Sequence, residues 1–227
     1  MKHCKIAIII PALNEAPSIA GVIRSIPKEF LGQVIVVDGG SLDGTVEIAR
    51  SLGAIVIQNQ VKTYDHACFA GAYAASADIL VFLHAGGDDD ATALPRLVAP
   101  VISGAADLVM GSRVLPDNRG DHNLLWHQYM GTKGFIWLIN ILFQTHFSDI
   151  GPFRAISMAA YKILAMKPVG FSWTTQMLIK SLKLNLKVQE IPVKSSRRIG
   201  KSKISGSLLF SFLALKDMLW SFTYLLQ

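Results

Sequence analysis

Five short apolar runs, mostly β-branched, recur along the first half of the chain, and each is released into a polar or glycine-containing loop. They are Ile6–Ile10, Val34–Val37, Ala54–Gln58, Ile79–Leu83 and Leu108–Met110. Short apolar runs of this kind, with no alternation of polar residues, are the mark of strands buried on both faces. Between them lie Ala16–Ile26, Thr45–Leu52, Ala67–Ser76 and Thr92–Ile102, which read as helices. The Ala- and Gly-rich third of these suits a helix packed closely on its neighbours. Strand and helix in alternation predict an α/β fold, a mostly parallel sheet flanked by helices. In such a fold every strand-to-helix loop reaches the same edge of the sheet, where ligands bind.

The loops on that edge carry the chemistry. Asn14 and Glu15 follow the first run, Asp38 and Asp43 the second, and Gly111-Ser-Arg113 the fifth. Asp43 reads as a cap for the helix from Thr45. The fourth run releases His84-Ala-Gly-Gly-Asp-Asp-Asp90. Three adjacent carboxylates repel one another, so they need full solvation or a cation. A solvated turn ahead of the helix at Thr92 is the plain alternative; the position on the binding edge favours the cation.

Beyond Arg113 the texture changes. Pro116–His122 is loop-like, and Leu124–Phe147 is aromatic and aliphatic around Phe135–Phe143. Ser148–Arg154 returns to loop chemistry, helices are expected over Met158–Met166 and Thr174–Leu184, and a strand over Lys187–Val193. Lys194–Lys203 then holds five positive charges in ten residues and no acid, ahead of an apolar tail from Leu208 to Leu226. With 227 residues, 51% of them hydrophobic and 17% charged, the chain reads as one large domain, 1–205, with the tail 206–227 as an appendage. A net charge of +6 points to an anionic partner. No aromatic stacking platform or recognition helix accompanies the basic segment, which argues against nucleic acid. Cys4 and Cys68 make no disulfide framework and fit a reducing compartment. The run Lys5–Pro11 is too short for a signal peptide, and no apolar run is long enough for a conventional membrane span.

Five segments in this order resemble the family 2 glycosyltransferases of GT-A fold, and within them the branch that moves sugars onto polyprenyl (dolichyl-type) phosphates. They are Ile8-Ile-Ile-Pro-Ala-Leu-Asn-Glu15, Val36-Val-Asp-Gly-Gly-Ser-Leu-Asp-Gly-Thr45, Gly111-Ser-Arg113, Asp149-Ile-Gly-Pro-Phe-Arg154 and Arg198-Ile-Gly-Lys-Ser-Lys203. The resemblance implies a nucleotide-diphosphate sugar as donor, inversion at the anomeric carbon, and a nucleotide-binding half, 1–115, ahead of an acceptor half, 116–205. Pro11, Ala12, Asn14 and Glu15 would line the nucleotide, and Asp38 would accept hydrogen bonds from the base or ribose. The alternatives are that Asp38 satisfies its own turn and that Asn14 and Glu15 cap the helix at Ala16. Arg113, Arg154, Arg197, Arg198, Lys201, Ser202 and Lys203 would position phosphates. Asp88, Asp149 and Arg113 are the catalytic candidates.

The largest departure falls on the metal motif. The family carries Asp-X-Asp at the end of the fourth strand, and the matching positions here are His84 and Gly86. Three outcomes follow. His84, Asp88 and Asp89 hold the cation a few residues along, Mn²⁺ before Mg²⁺ because of the imidazole; basic residues replace it; or the chain binds nucleotide or lipid phosphate in a regulatory role without turnover. Relatives also often carry a Glu near Gln176 and a glycine-rich basic segment where this chain has Lys62-Thr-Tyr-Asp-His66. Gln cannot act as a base, although an ionised phosphate acceptor needs none. Phe135–Phe143 and Leu208–Leu226, with Trp137, Trp220 and Tyr224, suit a peripheral position on the cytoplasmic face of a membrane, or else a core or homo-oligomer contact.

Overall fold

The computed structural model describes residues 4–59, 63–115, 126–168 and 173–199. Seven strands form one sheet in the order β3-β2-β1-β4-β6-β5-β7. They are β1 (Ile6–Ala12), β2 (Val34–Asp38), β3 (Ile55–Gln58), β4 (Ile79–Phe82), β5 (Leu108–Ser112), β6 (Arg154–Ser157) and β7 (Val188–Pro192). All pairings are parallel except those of β6, which runs antiparallel between β4 and β5. The helices are α1 (Ala16–Ser25), α2 (Thr45–Ser51), α3 (Tyr64–Ala74), α4 (Leu94–Ile102), α5 (Trp126–Phe143), α6 (Met158–Leu164) and α7 (Trp173–Lys183).

The expected α/β architecture is present, and the strand residues show how it is held. Along β1, β2 and β4, alternate side chains enter two separate cores. Ile8, Ile10, Val34, Val36, Ile79 and Val81 pack with α1, α2 and α4. Ala7, Ile9, Ile35, Val37, Leu80 and Phe82 pack with α3, α5, α6 and α7. Continuous apolar runs are therefore required, because both faces of each strand are covered. Helix α3 lies close on the sheet through Gly71, where a Cβ would stand 2.5 Å from Ile9 and 3.0 Å from Val37.

Three differences from the sequence reading bear on the site. β1 continues through Pro11 and Ala12, paired with Val37 and Asp38. Its pairing with β4 ends at Ile9, so Pro11 lies where one side of the strand has no ladder to lose. β6 was not expected at all; it carries Arg154 out of the 148–153 loop. A single turn of 3₁₀ helix, Ala91–Ala93, precedes α4. The apolar tail lies outside the described residues, and so do Lys201, Ser202 and Lys203. No described helix is long and apolar enough to cross a membrane.

Candidate active site

The loops after β1 and β2 are stitched together at the carboxyl edge. Asn14 adopts a left-handed backbone (φ 49°), which Asn tolerates better than most residues. Its amide donates to Ser41 Oγ at 2.7 Å, and its Oδ1 accepts from the Leu42 amide at 2.8 Å. The Glu15 amide donates to Thr45 Oγ1 at 2.8 Å. Asp43 accepts from the amide of Ala16 at 3.1 Å and from that of Thr45 at 3.2 Å. One carboxylate therefore serves the first turns of α1 and α2 together. The N-cap position of α2 itself is Gly44, in the left-handed region.

The three consecutive carboxylates after β4 point to three different tasks. Asp90 accepts from the Thr92 amide and hydroxyl and caps the turn before α4. Asp89, buried, accepts from the His84 amide at 3.0 Å and closes the 84–89 loop. Asp88 places Oδ2 3.3 Å from His84 Nδ1, and the same nitrogen is 3.7 Å from Asp89 Oδ2. The Tyr64 ring meets the His84 imidazole edge-on, with centroids 5.6 Å apart. Burial disfavours the His84 imidazolium, but Asp89 and Asp88 outweigh it and raise the pKa. Burial also raises the Asp89 carboxyl, with Asp88 beside it adding to the effect. Against its own desolvation, Asp88 is held well below the usual range by the His84 hydrogen bond and charge.

One ligand atom each from His84, Asp88 and Asp89 falls within 4.8 Å of the others. Asp88 Oδ1 is buried without a hydrogen-bond partner among the described residues. One nitrogen and two carboxylates with an unsatisfied oxygen are a donor set that fits a divalent cation of borderline hardness.

The segment 195–199 lies against this loop. Asp89 and Ser195 form an antiparallel bridge, the Ser196 amide donates to the Asp88 carbonyl at 3.0 Å, and the Ile199 amide to the Gly86 carbonyl at 2.9 Å. These bonds bring the Arg198 guanidinium to Glu15, with which it forms an ion pair, and to within 3.7 Å of Asp88 Oδ1.

Comparison with known proteins decides the family. The family model for glycosyl transferase family 2 matches residues 7–164. An uncharacterized glycosyltransferase of Mycobacterium tuberculosis is 32% identical over 213 residues, covering 93% of this chain and 95% of that one. The chain is a family 2 glycosyltransferase. A UDP-N-acetylglucosamine–dolichyl-phosphate N-acetylglucosaminyltransferase of Methanococcus voltae is 26% identical over 214 residues, 84% of this chain and 85% of that one. Glucosyl-3-phosphoglycerate synthase of M. tuberculosis, solved with Mn²⁺, UDP and phosphoglyceric acid, superimposes with a TM-score of 0.77 at 19% identity, over 98% of this chain and 78% of that one. The GT-A fold is thereby shown.

Within this glycosyltransferase the structure gathers some expected residues and removes others. Glu15, His84, Asp88, Asp89 and Arg198 form one cluster. Pro11 and Ala12 lie at the end of β1, and Arg197 is exposed next to Arg198. Asp38 departs from the base-binding expectation. It is 1% exposed, and both carboxylate oxygens are spent on the Gly40 and Ser41 amides and the Ser41 hydroxyl. It is a turn-holder here.

Arg154 is the clearest correction. Its side chain is wholly buried and donates to the carbonyls of Ile150, Gly151 and Thr174. Burial lowers its pKa to about 10. A guanidinium enclosed by main-chain carbonyls does not reach a phosphate. Asp149 is also corrected as a catalytic candidate, because Arg113 and main-chain amides take up its carboxylate. Arg113 Nε and Nη2 donate to Asp149 at 2.8 and 2.9 Å, and the amides of Arg113 and Ile150 fill its remaining acceptor positions. Asp149 has no solvent exposure. Gln176 brackets the backbone of Lys167, donating to its carbonyl and accepting from its amide at 3.0 Å each, away from this cluster.

One contributor escaped the sequence reading. Glu190 on β7 accepts from the Ser148 and Asp149 amides and orders the loop that presents Asp149. A lone acid in an expected strand was the available signal. Gly86 stands in the sequence only as a missing metal carboxylate, and only the folded chain reveals what it accommodates.

Proposed function

We propose that this glycosyltransferase moves a sugar, with inversion, from a nucleotide-diphosphate sugar to a polyprenyl phosphate at the cytoplasmic face of a membrane. The observation that carries the reading is the cluster itself. A cation-fitting set, His84, Asp88 and Asp89, stands at the end of β4 beside the β1 and β2 loops and under a basic segment. Nucleotide lies along the loop edge of residues 11–15 and 39–45. The diphosphate is directed toward His84 and Asp88, with Arg197 and Arg198 at hand for phosphate oxygens. A divalent ion bound there supplies charge neutralisation to the departing diphosphate.

In the transfer an acceptor phosphate oxygen attacks the anomeric carbon in line. The new C–O bond forms as the bond to the nucleoside diphosphate breaks, and that group leaves with the electron pair. The acceptor is already ionised, so no side chain has to remove a proton. Gln176, bonded to the Lys167 backbone away from the cluster, is not called on as a base.

Support for a lipid acceptor comes from the dolichyl-phosphate relative and from α5. That helix buries Phe135, Ile136 and Ile139 in the core and leaves Met130, Trp137, Ile141 and Leu142 exposed, Trp137 by 65%. An apolar outward stripe bearing Trp suits a membrane interface. The test has two parts. Titration calorimetry with UDP and GDP, with and without Mn²⁺, should show cation-dependent binding of one nucleotide. Labelled sugar should then pass to polyprenyl phosphate in vesicles. Transfer only to a soluble phosphorylated acceptor would replace the lipid reading, and absence of nucleotide binding would end the donor reading.

A further inference from the structure

Gly86 occupies the second of the two positions where the family carries metal carboxylates, and its missing side chain is not empty space. A Cβ built there would stand 2.6 Å from Arg198 Cζ and 2.9 Å from Asp88 Oδ1. The guanidinium of Arg198 therefore fills the volume that a carboxylate at position 86 would claim. Backbone pairing of 195–199 with 86–89 holds it there, through the Ser196 and Ile199 amides. The Gly86 backbone is outside the left-handed region, so nothing in its conformation demands glycine. The demand comes from the arginine.

Asp88 is shared. One oxygen faces His84 at 3.3 Å, within the cation-fitting set; the other faces Arg198 Nη1 at 3.7 Å. That second contact is an ion pair without a hydrogen bond, since Asp88 Oδ1 has no hydrogen-bond partner among the described residues. Arg198 Nε is likewise buried without one. The guanidinium donates to Glu15 but meets Asp88 by charge alone, so the Asp88 contact is the one a stronger cation can displace.

We infer that Arg198 is the internal counter-ion of this site, and that its guanidinium and a divalent cation exclude each other at Asp88. With no ion bound, Arg198 neutralises Glu15 and Asp88 and holds 195–199 down on the 86–89 loop. Ion binding expels it from Asp88, loosens that segment and frees the guanidinium for donor phosphate. Arg198 thus acts as a positioning residue, and Gly86 sets the cation preference by making room for it. The inference rests on the cation-site reading given above.

The test is Mn²⁺ affinity of the full chain, read from the electron paramagnetic resonance of free Mn²⁺ without any substrate. Arg198→Gln should bind Mn²⁺ more tightly by at least about fivefold, the lower range of coupling between linked sites. Gly86→Ala, whose Cβ evicts the guanidinium while keeping the arginine, should shift in the same direction. In the unmodified protein, Mn²⁺ should speed deuterium exchange at the Ser196 and Ile199 amides. Unchanged or weaker Mn²⁺ binding in both variants, or slower exchange, overturns the exclusion while leaving the cation site standing. No Mn²⁺ binding by any of the three proteins overturns both, and that pattern tells the two failures apart.

Discussion

Arg113 and Arg198 both meet carboxylates at the edge of the same sheet, yet the two contacts are built in opposite ways. Arg113 grips Asp149 through two side-chain nitrogens and its own amide, and the Ile150 amide completes the set. Arg113 is 16% exposed and Asp149 not at all. Arg198 touches two carboxylates, Glu15 and Asp88, leaves Nε without a hydrogen-bond partner among the described residues, and is 26% exposed. Saturated and buried, the first pair fixes the 148–151 loop to the end of β5. Half-satisfied and near solvent, the second can exchange partners. The same residue type is framework on one side of the site and a movable charge on the other.

Removing the charge from the saturated pair gives the largest expected effect. Asp149→Asn removes the hydrogen-bonded counter-charge of the largely enclosed Arg113 guanidinium, which should lower the unfolding free energy by about 3 kcal/mol in urea titrations. pH gives a second reading. Burial works against the Asp149 carboxylate, but Arg113 overrides it and the pKa falls below 3.8. A depressed folded-state pKa contributes stability that is present above the unfolded value and lost as pH falls through the folded one. The stability difference between wild type and Asp149→Asn should therefore be full at neutral pH and shrink below about pH 4. A difference that is constant with pH would show that the ion pair is not its source.

Arg154 tests the same distinction from inside the core. Arg154→Met keeps most of the volume but strands the carbonyls of Ile150, Gly151 and Thr174. A loss of about 1–3 kcal/mol is expected, with UDP affinity below the melting temperature unchanged within about twofold. A selective loss of nucleotide binding, with stability intact, would return Arg154 to the phosphate-binding set.

These assignments mark where sequence reasoning succeeds and stops. The alternation of buried strands and helices was legible because burial on both faces forces unbroken apolar runs, as in Val34–Val37 and Ile79–Phe82. Asp43 was legible because a carboxylate beside a helix start has a local task. β6 was not: Arg-Ala-Ile-Ser has no period to detect, begins with a charge, and becomes a strand only because β4 and β5 present free edges on either side. Arg154, Asp149 and Asp38 look like ligand-binding residues in a motif, and only their enclosure reveals them as supports. The pairing of Gly86 with Arg198 joins two distant segments, and no local pattern announces that one residue lacks a side chain because another occupies its space.

Glu15→Gln is the smallest of the expected effects and bears most directly on the contrast. The amide keeps the shape of the carboxylate and turns its one oxygen to Arg198 as a neutral acceptor, while the Ser18 hydroxyl keeps its bond to the main-chain carbonyl of residue 15. Because that guanidinium is partly solvated and has Asp88 as a second partner, unfolding stability should change by less than about 1 kcal/mol. Arg198 should then lean more heavily on Asp88, so Mn²⁺ binding should weaken while the fold is unaffected. A stability loss as large as that of Asp149→Asn would make the Arg198 contact framework as well, and the difference between the two arginines would be one of exposure only.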